Sequence, residues 1–262
     1  MKIKEAKEIP KNTRKSSLIA YIILRILVLI CFVREIFLMN YLNALLCILS
    51  LILFNIPLFI EKKFKIDLPD GLEIAIYCFI FSAEILGEIE NFYGVIPMWD
   101  NILHTLNGFL AASVGFSLID LLNTKIKNFN LSPVFVALVA FCFSMTIGIL
   151  WEFFEYSADK FTLSDMQKDS IVTTISTCEL EPNHNNKAVV VKNIAKTIMY
   201  DKDGNELAVI EGGFLDIGLN DTMEDLFVNL IGAVVFSALG YLYISDRDKY
   251  KIAQKFQIKK QE

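Results

Sequence analysis

The sequence predicts an all-α polytopic membrane protein, a six-helix transmembrane bundle with a β-rich extracytoplasmic insert. Of the 262 residues, 54% are hydrophobic and 21 are phenylalanine, which is too apolar for an ordinary soluble domain. Long apolar runs recur along the chain, and lysine and arginine fall in alternate connections between them. One long connection instead holds β-branched runs separated by turn-forming residues.

The apolar runs define the predicted spans. A spanning helix needs about 20 predominantly apolar residues. The segments that meet this length are 17–39, 40–60, 72–93, 99–122, 132–157 and 221–244. The first segment is longer than the apolar region of a signal peptide, contains Arg25 and Arg34, and has no small-residue cleavage site after it. We therefore expect it to be retained as an anchor.

Lysine and arginine predict the orientation, because both are enriched in short cytoplasmic loops of membrane proteins. With six spans, all the basic segments fall on one side: the N-terminal tail, the 61–70 loop, the 123–131 loop and the C-terminal tail. The short connections on the other side, near residue 40 and at 94–98, carry neither residue type. Both termini are therefore expected in the cytoplasm.

This orientation divides the chain into residues 1–157 with five spans, the extracytoplasmic insert 158–219, and residues 220–262 with the sixth span and a basic tail. Runs such as SIVTTIST, KAVVV, KTIMY and LAVIEGG predict short strands in the insert. Asp201, Asp203 and Asn205 resemble part of a calcium loop, but the glutamate expected at its twelfth position is missing, so a hairpin turn is the better interpretation. His184 lies in a polar turn and is expected to be solvated.

Ionisable residues recur inside the predicted spans. Such residues cost free energy when they are buried in a membrane, and they usually face the interior of the helix bundle. Four helices carry polar residues toward the predicted outer side: Glu84 and Glu88, then Asp100 and His104, then Glu152 and Glu155, then Asp221, Asp225 and Asn229. Residues three or four apart share one helix face. On the last three of these helices the polar stripe continues into small residues, which are Gly108, Gly148 and Gly232. The pattern predicts an outward-facing polar cup above closely packed helices.

Helix capping explains some of these residues equally well. Asp100 and Asp221 each lie near a helix N-terminus, where a carboxylate can cap free N–H groups. Glu152 lies near a helix C-terminus instead, where the dipole disfavours negative charge. His104 and Asp225 lie one turn deeper than a cap requires. Capping therefore does not account for the whole set.

The predicted site has residues in two roles. Acid–base catalysis is assigned to His104, Glu152, Glu155 and Asp225. Binding is assigned to Asp100, Asp221, Asn229, Glu88 and Arg34. Exposure at the membrane interface explains Glu88 as well, and Arg34 could instead pair with Glu35. A divalent cation (Mg²⁺, Mn²⁺ or Ca²⁺) is a possible cofactor, with ligands Asp100, His104, Glu152 and Asp225.

The order of these motifs resembles a known family. D-x-x-x-H, E-x-x-E and D-T-x-x-D-x-x-x-N-x-x-G, over roughly residues 70–245, resemble the YjdF-like bacterial inner-membrane proteins of unknown function. They are distantly similar to the VanZ-like family, which is associated with teicoplanin resistance. The insert is longer than in the YjdF-like pattern, and Glu155 stands where the VanZ-like pattern has glutamine. The resemblance implies a multi-pass protein of the bacterial inner membrane and supplies no reaction.

Three classes of function stay open: an enzyme acting on lipid or lipid-linked envelope precursors, a transporter, and a non-catalytic envelope protein whose insert binds an extracytoplasmic partner. The sequence has no G-x-S-x-G nucleophile motif, and its histidines are too few for a His₃ zinc site. A net charge of −5 with no contiguous basic patch argues against nucleic-acid binding. Membrane lipids are the expected partners.

Overall fold

The computed structural model describes residues 14–125, 131–183 and 185–260. Within these ranges the chain is mostly helical, with small antiparallel sheets. The stretches there that are long and apolar enough to cross a membrane are Ser16–Phe37, Tyr41–Phe64, Trp99–Asn123, Pro133–Thr162 and Leu219–Ser245. They correspond to all the predicted spans except the third, so long apolar helices are confirmed at those places. The interpretation of His184 and the basic residues before Arg14 lie outside the described ranges.

The third predicted span, 72–93, has a different form. Helix α4 (Asp70–Ile80) continues directly as a π-helix over Phe81–Ile89, and the short helix α5 (Phe92–Val95) follows. Asn91, with φ of 57°, takes the left-handed conformation that ends the helical run. Hydrogen bonds in a π-helix join residues five apart, so residues four apart, such as Glu84 and Glu88, are separated by less than one full turn in this segment.

The chain forms two compact units, of which the first comprises Met1–Gly148 and Leu226–Glu262. Its described helices are α1 (Arg14–Phe37), α2 (Tyr41–Leu53), α3 (Ile56–Phe64), α4, α5, α6 (Trp99–Lys125), most of α7 (Pro133–Thr162) and most of α8 (Leu219–Ser245). One hydrophobic cluster includes Phe54 and Tyr77, and another includes Phe116 and Phe236. Burial of these apolar faces holds the first unit together.

The chain after α8 turns back onto the first unit. A 3₁₀-helix (Ala253–Phe256) is followed by strand β8 (Lys259–Lys260), which pairs antiparallel with β1 (Ile66–Asp67). Ala253 and Ile258 are 1% and 3% exposed. The sequence predicts a basic tail here, but its apolar residues complete hydrophobic clusters of the first unit and are therefore buried.

The second unit, Ile149–Asp225, contains three antiparallel strand pairs. They are β2 (Ser170–Val172) with β7 (Phe214–Asp216), β3 (Ile175–Thr177) with β4 (Val189–Val191), and β5 (Lys196–Tyr200) with β6 (Glu206–Glu211). The β-branched runs therefore form the short strands predicted for them.

The turn between β5 and β6 confirms the predicted hairpin. Asp201 Oδ1 accepts hydrogen bonds from the backbone N–H groups of Asp203 and Asn205, at 2.9 and 2.8 Å. Asp201 Oδ2 accepts one from the Asn205 side chain at 2.9 Å. Gly204, with φ of 85°, supplies the left-handed residue that the turn needs. Hydrogen bonds from the Asn205 side chain and backbone hold the pKa of Asp201 below its usual value.

Candidate functional site

Three buried carboxylates of the second unit lie close together. Glu152, Glu155 and Asp225 are 4%, 7% and 2% exposed. One carboxylate oxygen from each lies within 4.8 Å of the others. Glu152 and Glu155 share a face of α7 because they are three residues apart, and Asp225 lies in the second turn of α8. The structure thus brings together three of the four residues predicted to be catalytic.

Neighbouring side chains of the second unit hold this carboxylate cluster in place. Trp151 Nε1 donates a hydrogen bond of 2.8 Å to Glu155 Oε1, one helical turn away. Asp221, the predicted cap of α8, has a carboxylate oxygen within 4.8 Å of one from Asp225. Asp221 Oδ2 also accepts a hydrogen bond of 2.7 Å from the Lys168 N–H. Asp221 therefore orders the chain that enters α8 and adds a carboxylate beside Asp225.

The spacing of these oxygens suits a hard cation. Ca²⁺ binds oxygen ligands at about 2.3–2.6 Å, and Mg²⁺ binds them at about 2.0–2.1 Å. Oxygens within 4.8 Å of one another can therefore reach one calcium-sized ion from different sides. Carboxylates this close can also share protons, because like charges in a buried place disfavour full ionisation. The arrangement supports cation binding or proton transfer.

The remaining predicted metal ligands, Asp100 and His104, belong to the first unit. They lie in the first two turns of α6, with His104 Nε2 3.6 Å from Asp100 Oδ1. His104 is 7% exposed, so its imidazole is buried as an interior position requires. Asp100 occupies the first helical turn, where the dipole favours a carboxylate. Whether both residues join Glu152 and Asp225 in one site stays a prediction.

Asn229 is buried in the first unit and contacts two other helices. Its Oδ1 accepts a hydrogen bond of 3.3 Å from Asn107 Nδ2 on α6, and its Nδ2 lies 3.7 Å from Met145 Sδ on α7. A Cβ at Gly148 would lie 2.6 Å from Asn229 Nδ2. Asn229 therefore needs glycine at 148, and its side chain joins α6, α7 and α8 within this unit.

Glycines let these helices approach closely, as the small-residue stripes predicted. A Cβ at Gly108 would overlap the backbone oxygen of Asn229, and one at Gly232 would overlap the backbone oxygen of Thr105. Ser144 Oγ donates a hydrogen bond of 2.7 Å to the Gly108 backbone oxygen. Backbone-to-backbone contact of this kind is typical of packed membrane helices.

Arg34 and Glu88 were also predicted to bind a ligand. Arg34 forms ion pairs with Glu35 at 2.7 Å and with Glu90 at 2.5 Å. Asn43 Nδ2 donates to the other oxygen of Glu35 at 3.1 Å, so the buried Glu35 carboxylate is satisfied. Glu88 is exposed near the end of the π-helix. The structure shows the ion pair predicted for Arg34 and the exposure predicted for Glu88, while their part in a shared binding site stays a prediction.

Sequence reasoning missed another buried carboxylate, Asp120 on α6, which is 0% exposed. Arg247 binds it through two nitrogens, at 2.5 and 3.2 Å, and Gln257 Nε2 also donates to it. One turn earlier, Ser117 Oγ accepts a hydrogen bond of 2.9 Å from the Ile258 N–H. A lone aspartate among apolar residues was the available signal, but its partners lie more than 120 residues away along the chain.

Comparison with known proteins shows the family. The family model described as a predicted membrane protein (DUF2238) matches residues 18–246. An uncharacterised protein of Thermotoga maritima is 29% identical over 104 residues, which are 40% of this chain and 52% of that protein. The chain thus spans about half the length of this relative. No solved structure matches the chain.

The family match fits the apolar helices and extends across every described span but for its outermost residues. This match identifies the chain as a member of a membrane-protein family of unknown function, and it supports no finer identification. The chain belongs to the family of predicted membrane proteins named DUF2238.

Proposed function

We propose that this protein is a multi-pass protein of the bacterial inner membrane whose carboxylate cluster, Glu152, Glu155 and Asp225, binds a divalent cation and performs acid–base chemistry on a lipid or lipid-linked substrate. The observation that carries the proposal is the burial of three carboxylates with oxygens within 4.8 Å of one another. A cation or shared protons would offset the repulsion that such a cluster builds up.

The proposed topology has six spans, with both termini in the cytoplasm and the cluster toward the extracytoplasmic side. The helical run from Asp70 to Ile89 supports a span between the second and third apolar stretches. The distribution of lysine and arginine supports the orientation. An impermeant thiol reagent should then label Cys178 in intact cells. Labelling of Cys178 only after permeabilisation would show that the orientation is the opposite one.

Direct measurement of metal binding tests the proposed site. The full chain, purified in detergent, should bind Mn²⁺ as followed by electron paramagnetic resonance, and Ca²⁺ or Mg²⁺ should compete. Glu152→Gln or Asp225→Asn should weaken Mn²⁺ binding at least tenfold, because each removes one anionic ligand. The matched control is Glu206→Gln, which neutralises an exposed carboxylate of β6. Equal Mn²⁺ binding in all four proteins would refute the cation site.

His104 supplies a separate test of the wider site. His104→Ala should weaken Mn²⁺ binding as much as Glu152→Gln if the imidazole is a ligand. If the variant binds Mn²⁺ like the wild type but fails to complement a deletion strain, His104 takes part in proton transfer instead. Normal binding and normal complementation would leave Glu152, Glu155 and Asp225 as the whole site.

The hairpin of β5 and β6 supports a second candidate function, binding of an extracytoplasmic partner without catalysis. Met199, Tyr200 and Leu207 are 41%, 59% and 67% exposed on this hairpin. Complementation distinguishes the two candidates. If partner binding is the function, substitution of these three residues by serine should abolish complementation. If the function depends on the carboxylate cluster, Glu152→Gln should abolish it instead.

A further inference from the structure

The chain that follows α8 forms a small apolar cavity at the end of a candidate membrane span. The cavity has a volume of about 90 Å³. Leu239 and Leu242, from the last two turns of α8, form one wall, and Ile252 and Ala253 form another. The stretch Leu219–Ser245 is long and apolar enough to cross a membrane, and the cavity adjoins its C-terminal end, which would lie at a membrane interface if the helix spans the bilayer.

Two lysines stand at the rim of this apolar cavity. Lys249 and Lys251 line it and are exposed, and Lys249 Nζ lies 5.1 Å from the centre of the Tyr250 ring. An ammonium group near an apolar recess suits a ligand with a negative head and an alkyl body, because each part finds its own environment. Asp248, also exposed, lies between the two lysines in sequence and reduces the local positive charge.

Hydrogen bonds order the loop that carries the lysines. The Tyr250 N–H donates to the Asp246 backbone oxygen at 3.1 Å, and the Lys249 N–H donates to Asp246 Oδ1 at 3.1 Å. On either side, Arg247 and Gln257 bind the buried carboxylate of Asp120. Both ends of the loop are therefore fastened to the first unit, which reduces the conformational entropy that a ligand would otherwise have to restrict.

We infer that this place, the lysine-rimmed cavity formed by Leu239, Leu242 and residues 249–253, binds an anionic phospholipid. The phosphate contacts Lys249 and Lys251, and the adjoining alkyl segment occupies the apolar recess. The lysines contribute charge rather than a fixed bidentate geometry, so the site selects anionic over zwitterionic lipid without selecting one headgroup. This lipid site does not depend on the carboxylate cluster or on its chemistry.

Native mass spectrometry of the full chain in detergent tests the inference. The probes are phosphatidylglycerol and phosphatidylcholine with identical acyl chains. The wild type should retain phosphatidylglycerol in preference to phosphatidylcholine, and the double variant Lys249→Gln, Lys251→Gln should lose roughly tenfold of that preference. The matched control, Lys187→Gln with Lys202→Gln, removes two exposed lysines of the second unit and should behave like the wild type.

Two further arms distinguish the source of the anion and the part that the apolar recess plays. Ile252→Ser should lower retention of both lipids, because it replaces an apolar wall that both would share. Excess inorganic phosphate should leave phosphatidylglycerol bound. Complete displacement by inorganic phosphate, an unchanged preference in the Lys249/Lys251 variant, or an equal loss in the Lys187/Lys202 control would each overturn the lipid site.

Discussion

Asp120 and the Glu152–Glu155–Asp225 cluster are both buried carboxylate regions, but their neighbours carry opposite charges. Asp120 accepts two hydrogen bonds from the guanidinium of Arg247 and one from Gln257. In the carboxylate cluster, three acidic side chains approach one another within 4.8 Å. The first region joins unlike charges, whereas the second gathers like charges.

The two regions therefore differ in what balances the charge of the buried carboxylates. A buried carboxylate that is bound by arginine needs nothing more, and it fastens the segment that supplies the arginine. Gathered carboxylates raise the electrostatic energy of the folded state unless protons or a cation offset it. In the proposed function, cation binding or proton transfer provides this offset.

The largest expected effect comes from breaking the region of unlike charges. Arg247→Ala leaves the carboxylate of Asp120, which is 0% exposed, without its guanidinium. Because the Arg247 side chain is 41% exposed, we expect a loss of stability at the low end of the roughly 3–5 kcal/mol that breaking a fully buried ion pair costs. Thermal unfolding of the protein in detergent measures it, with Lys255→Ala as a control that removes an exposed cation of the same segment.

The double variant Asp120→Ala, Arg247→Ala sharpens this result. Because it removes both charges together, it should recover part of the stability that Arg247→Ala loses. Unfolding of Arg247→Ala at the wild-type temperature would show that the pair contributes nothing to the fold.

A smaller effect is expected from a change in packing that leaves all charges in place. Gly232→Ala would drive a Cβ into the backbone oxygen of Thr105, and overpacking of this kind costs about 1–3 kcal/mol. Thermal unfolding again measures the loss, and Ser245→Ala at the exposed end of α8 is the control. A neutral Gly232→Ala would mean that α6 and α8 can separate freely.

Neutralising one member of the carboxylate cluster should change stability less than either of these changes in the absence of divalent ions. We expect Glu152→Gln to be neutral or stabilising by up to about 1 kcal/mol, because it removes one of three neighbouring negative charges. Addition of Mn²⁺ should raise the unfolding temperature of the wild type but not of Glu152→Gln, since a bound ligand stabilises the folded state. A strong destabilisation by Glu152→Gln would assign the cluster a structural role like that of Asp120.

The exposed carboxylate of Asp201 gives the smallest and most local effect. Its pKa is lowered in the folded hairpin, so its contribution to stability is present above the usual pKa of about 3.9 and is lost as pH falls through the folded pKa. Amide hydrogen exchange should show Asp203 and Asn205 losing protection below about pH 4. Asp201→Asn keeps an acceptor oxygen but does not titrate. In this variant the protection of the Asp203 and Asn205 amides should therefore not fall below about pH 4.

Several of these features follow from the sequence for physical reasons. Glu152 and Glu155 share a helix face because of their spacing, and the β-branched runs around Val190 and Ile198 form strands because such side chains favour extended backbone. Helical periodicity is local, and it is therefore readable from one segment at a time. The π-helix at Phe81–Ile89 was not predicted, since an apolar run does not reveal hydrogen bonds to the fifth residue.

Long-range pairing accounts for most of what the sequence left unknown. Asp120 and Arg247 are more than 120 residues apart, and nothing near either one indicates the other. The burial of Ile258 within a basic segment was missed for the same reason, because its partners Leu72 and Leu110 lie on helices far earlier in the chain. The ion pair of Arg34 with the adjacent Glu35 could be predicted, but its ion pair with Glu90 is known only from the structure.

The docking of residues 253–260 has a consequence for biosynthesis. Strand β1 finds its partner β8 only when residues 259 and 260 have been made, although Ile66 and Asp67 leave the ribosome much earlier. Until then Leu68 and Leu72 lack the cover that Ile258 gives them. A chaperone or protease that binds this surface would therefore distinguish a chain that includes residues 253–260 from one that ends before them.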